Sequence, residues 1–91
     1  MDTIAVIPRL SYNPYIKKWE PILFLPEGRA SLGCLVCYAH AGHHSGASLA
    51  YYLGTRPVKR ITREVRALLN EYKTLEFDVK LKILKRRPAR S

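Results

Sequence analysis

With 91 residues, 47% of them apolar, the chain has room for one modest core and little room for a deep cofactor cleft. Its 25% of charged residues match a globular protein and exclude global disorder. Sixteen Lys and Arg against seven Asp and Glu leave a net charge of +9, which points to a polyanionic partner: nucleic acid, an acidic protein face or an anionic surface.

That charge is unevenly distributed. Residues 1–50 carry four bases (Arg9, Lys17, Lys18, Arg29) and three acids, whereas residues 51–91 carry twelve bases and four acids. Two cysteines are too few for a disulfide-stapled secreted scaffold of this size. The start Met-Asp lacks the cationic region of a secretory signal, and the run Ile22–Leu25 is boxed by Pro21 and Pro26, too short to span a bilayer. These features lead us to expect a cytoplasmic protein with no membrane association.

In chain order, Thr3–Leu10 predicts a first strand, rich in β-branched residues and apolar enough for burial on both faces. Asn13-Pro14 predicts a turn, and Trp19–Leu25 a second strand at an edge or opening with Pro21. Gly33–His40 reads as a third strand. Ser45 is the expected N-cap of a short helix over residues 46–53, burying Leu49, Tyr52 and Leu53 and ending at Gly54.

A second helix is expected over residues 58–73, with Pro57 near its first turn and Val58, Ile61, Val65, Leu68, Leu69 and Tyr72 as its apolar stripe. Alternation of Leu75, Phe77, Val79, Leu81 and Ile83 with charged residues then predicts a half-buried strand. The fold class is α+β: residues 1–84 form one small two-layer domain, an antiparallel sheet of about four strands with both helices on one face, in the order β-β-β-α-α-β. Residues 85–91 form a basic tail expected to be mobile.

Three constellations bear on function. Cys34-x2-Cys37-x2-His40-x2-His43 is made of zinc-ligand types, but two residues between the pairs fall short of the dozen or so that let two elements converge on one ion. We therefore expect no metal and no other cofactor, and read the cysteines as small core residues. His40, His43 and His44 are of the residue type for acid–base chemistry, with Arg29 or Arg56 as a cationic clamp, and an alternative reading is a metal-independent ribonuclease. Capping of a short helix accounts for the same residues without catalysis, so an enzyme is not the favoured reading.

The third constellation is the basic surface. On a helical wheel Lys59, Arg63, Arg66, Asn70 and Lys73 gather on one flank of the apolar stripe, opposite Glu64 and Glu71, with Arg60 able to pair with Glu64. Lys80, Lys82, Lys85, Arg86 and Arg87 extend the field, while Tyr12 and Tyr15 beside Lys17 and Lys18 suit stacking of unpaired bases. The expected function is a non-enzymatic accessory or regulatory protein binding nucleic acid, RNA or DNA, mainly at its phosphates. An adaptor or inhibitor docking on an acidic protein surface is the other alternative.

Overall fold

The computed structural model describes residues 3–27, 34–39, 43–76 and 79–85. It has the α+β, mainly antiparallel architecture expected. Strands β1 (Thr3–Asn13), β2 (Lys18–Leu25), β3 (Cys34–Ala39) and β4 (His43–Ser48) are followed by helix α1 (Leu49–Leu53), the short strand β5 (Arg56–Pro57), helix α2 (Arg63–Leu75) and strand β6 (Lys80–Ile83). The strand order is β4-β3-β2-β1-β5, every neighbouring pair antiparallel, and β6 lies parallel to Thr3–Val6, the half of β1 that β2 does not pair.

The first hairpin follows from local chemistry. Asn13 Oδ1 accepts a hydrogen bond from Tyr15 N at 3.0 Å, the side-chain turn that Asn-Pro favours. Its Nδ2 donates to Glu20 Oε1 at 2.9 Å across the strands. Lys17 closes the turn with φ 54°, a left-handed conformation that disfavours a Cβ.

Four consecutive residues of β2, Ile22 to Leu25, are all buried. Because successive side chains point to opposite faces, both sides of the sheet must be covered. The two helices accordingly sit on opposite faces, where we expected them on one. Val6, Leu23, Leu25 and Tyr38 meet Val65, Leu68, Leu69 and Tyr72 of α2. On the other face Ile7, Ile22, Phe24 and Cys37 meet Tyr52 of α1, with Phe24 and Tyr52 edge to face at 4.9 Å.

Both helices begin later than the sequence suggests. Thr62 caps α2, its hydroxyl accepting from Val65 N at 3.3 Å, so residues 58–62 are not helical. Val58 and Ile61 still pack on the α2-side core, which is why they fit the helical period without belonging to the helix. Ser48, not Ser45, caps α1, because pairing with β3 keeps His43–Ser48 extended. Gly54 ends α1 as anticipated, its N–H donating to Ala50 O and Tyr51 O, both at 3.1 Å. Tyr52 is buried but Leu53 is 68% exposed, and the Leu49 side chain lies outside what is described. Leu75, expected in the final strand, is the last residue of α2; that strand is Lys80–Ile83, and Phe77 lies outside the described residues. Among the described residues no helix is long and apolar enough to cross a membrane.

Candidate nucleic-acid interface

Helix α2 carries the main candidate surface. Arg63, Arg66, Asn70 and Lys73 are all exposed and, at 100° per residue, fall within about 80° of the helix circumference. They lie along about 15 Å of helix axis. Lys59, expected on the same ridge, precedes the helix and is exposed on the segment that leads into it, as is Arg60. Arg60 therefore has no helical i,i+4 relation to Glu64.

The acids of the helix stand on the opposite flank. Glu64 and Glu71, with Glu20 of β2, line a cavity of about 620 Å3 that also takes in Ser11, Ile22 and Tyr51. The sequence places Glu71 only on the flank opposite the cations. It is half-buried and accepts a hydrogen bond from the Tyr38 hydroxyl. Burial of Tyr38, reinforced by that carboxylate, pushes its hydroxyl pKa up to about 12. Burial first and Glu76 second raise that of Tyr72. Glu64, exposed at the cavity, and Glu71, turned to the sheet, thus stand apart from the exposed cations of the other flank.

The remaining bases do not all join this surface. Leu81 of β6 packs on the α2-side core, so alternation sends Lys80 and Lys82 to the other face, where Leu84 joins the α1-side core. Lys85 is exposed just beyond β6, and Arg86 and Arg87 lie outside the described residues. Arg9 is tied up internally: its Nε and Nη2 donate to Thr55 Oγ1 and O at 2.8 and 2.7 Å, and its guanidinium lies over the Tyr52 ring at 4.8 Å.

The aromatic hairpin is the second candidate surface, and here the structure adds residues that patterning missed. Tyr12 and Trp19 are paired positions of β1 and β2 with ring centroids 5.3 Å apart. Arg56, across β1 from them, lays its guanidinium over the Trp19 ring at 4.2 Å. Tyr15, Ile16, Lys17 and Lys18 form the exposed end of the hairpin. Arg56 gives no sequence signal for this contact, since 37 positions of chain separate it from Trp19.

The cysteine–histidine group divides. Cys34 pairs with Ser48 and Ala39 with His43, so five ladder steps, about 16 Å of strand, separate Cys34 from His43. That exceeds what two side chains span around one ion, so Cys34 and His43 do not share one. Cys37 is buried in the α1-side core. His43 and His44 are adjacent strand positions in β4, while His40 and Arg29 lie outside the described residues. No protein-family model, curated protein or solved structure matches this chain.

Proposed function

We propose that this is a small non-enzymatic accessory protein that binds nucleic acid through phosphate contacts from Arg63, Arg66 and Lys73 of α2. One observation carries the reading: Arg63, Arg66, Asn70 and Lys73 share one exposed flank of the helix, while Glu64 and Glu71 stand apart from them on the flank that lines the cavity. A surface that only confers solubility mixes its signs. A sorted one presents a continuous positive strip to a polyanion, and each phosphate contact releases condensed counterions. Asn70 sits within the strip and supplies neutral donors to phosphate oxygens. Lys59 and Arg60 prolong the strip before the helix. Contacts of this kind position the protein without reading sequence.

The test is a salt-titrated binding measurement on labelled RNA and DNA, with and without R63E/R66E/K73E. Loss of three phosphate contacts is expected to flatten the slope of log K against log salt by about 2–3. Failure to retain either nucleic acid at low salt sinks the reading. Nuclease-resistant co-purification with one protein would instead support an adaptor docking through the same charge.

A further inference from the structure

We infer that the end of the β1–β2 hairpin is a stacking platform for unpaired bases, which makes the ligand single-stranded nucleic acid and not duplex. This inference rests on the phosphate-binding reading of α2 and specifies its ligand.

Tyr12, Trp19 and Arg56 are on the face of the sheet that α2 covers, since Tyr12 alternates in register with Val6, which lies beneath the helix. Trp19 is held by two contacts, the Arg56 guanidinium over its ring and the tilted Tyr12 ring, so the platform is ordered before any ligand arrives. Beyond it Tyr15 is 95% exposed, a large ring with little intramolecular burial to explain its place. Flat faces of this kind, tyrosine rings and a planar guanidinium, stack on any base.

Charge decides the occupant. Lys17 and Lys18 flank the rings, and Arg56 opens a run of exposed cations, Lys59, Arg60, Arg63 and Arg66, that leads directly into the α2 strip. Val58 and Ile61 pin the connecting segment to the core. The rings and the strip are thus joined by a short, anchored piece of chain. A flexible strand matches that layout, with bases splayed on the hairpin and phosphates following the cations. A stacked duplex hides the faces that the rings would contact.

Trp19 is the only tryptophan and reports on the platform directly. We would titrate the intact protein with a 12-nucleotide deoxythymidine oligomer and a blunt duplex of equal length, following Trp19 fluorescence and anisotropy. The single strand is expected to quench Trp19 and to lose about tenfold or more in affinity in Y12A/Y15A, while duplex affinity stays within about twofold. Y15A alone, at an exposed position, gives the same discrimination without risk to the fold. Equal binding of both forms, or equal losses on both, overturns the inference while leaving the α2 reading intact. A loss in Y12A/Y15A with no effect of R63E/R66E/K73E rejects the α2 reading and retains the platform. Binding of vesicles containing phosphatidylserine, abolished by Y15A and undisturbed by excess oligomer, overturns it in favour of a lipid surface.

Discussion

Arg9 and Thr55 are joined twice, through the Thr55 hydroxyl at 2.8 Å and its carbonyl oxygen at 2.7 Å, although 46 positions separate them in the chain. Thr55 Oγ1 in turn donates to Tyr52 O at 2.6 Å. One side chain of β1 therefore holds the end of α1 and the start of β5 against the sheet. It also explains why a base in the nearly neutral half of the chain contributes nothing to the strip on α2.

Arg9→Ala is expected to lower stability by about 2–3 kcal/mol, since it removes two charge-assisted hydrogen bonds and leaves Thr55 poorly partnered. Arg9→Lys should restore less than half of that, because an ammonium cannot reproduce the fork or the flat contact with Tyr52. Urea unfolding measures both. An equal cost for the two variants would mean that only charge matters there.

The start of α2 gives a second prediction. Thr62→Ala should cost about 1 kcal/mol through loss of the cap on Val65 N. Pro57→Ala, at a position in β5 outside the helix, should stay within about 0.5 kcal/mol. The reverse ranking in thermal or urea unfolding would put the helix start five residues earlier.

Alkaline pH should weaken the fold. The Tyr38 pKa is raised to about 12 in the folded chain, against an ordinary value of 10.0. Below pH 10.0 the hydroxyl is protonated in both states, so its contribution is intact. Between pH 10.0 and about 12 the unfolded chain sheds this proton first, and stability falls with rising pH. Tyr72, raised in the same direction, adds to the slope. Tyr38→Phe should flatten it, at a cost of about 1.5–3 kcal/mol near neutrality from the lost hydrogen bond to Glu71. Urea midpoints from pH 8 to 12 that do not decline would refute this account.

Placement of β6 separates two sets of bases. K80A/K82A should keep nucleic-acid affinity within about threefold at 0.15 M salt, where exposed charges more than about 8 Å apart are screened. R63A/R66A should lower it by tenfold or more. Similar losses in both variants, read by anisotropy, would place the ligand across both faces of the sheet.

Short-range features were legible in the chain. The Asn13-Pro14 turn, the glycine that ends α1, the buried stripe Val65-Leu68-Leu69-Tyr72 and the antiparallel first strands all depend on residues a few positions apart. The helix starts were less so. Apolar periodicity registers which residues meet the core, and Val58 and Ile61 meet it from an extended segment. The cue that resolves it is Thr62 followed by Glu64 in the first turn, a cap and an acid at the positive end of the helix.

By itself, then, the sequence determined that the protein is basic, that the charge lies in its second half, and that α2 sorts its signs around a buried stripe. These are properties of composition and of one helical repeat. Only the tertiary structure decided that Lys80 and Lys82 leave the α2 face, that Glu71 turns inward to Tyr38, and that Arg56 stacks on Trp19 beside Tyr12. Each of these depends on which face of a strand meets which helix. Alternation makes the two faces of a strand distinct, but the cover each one receives is chosen by pairing between segments dozens of residues apart.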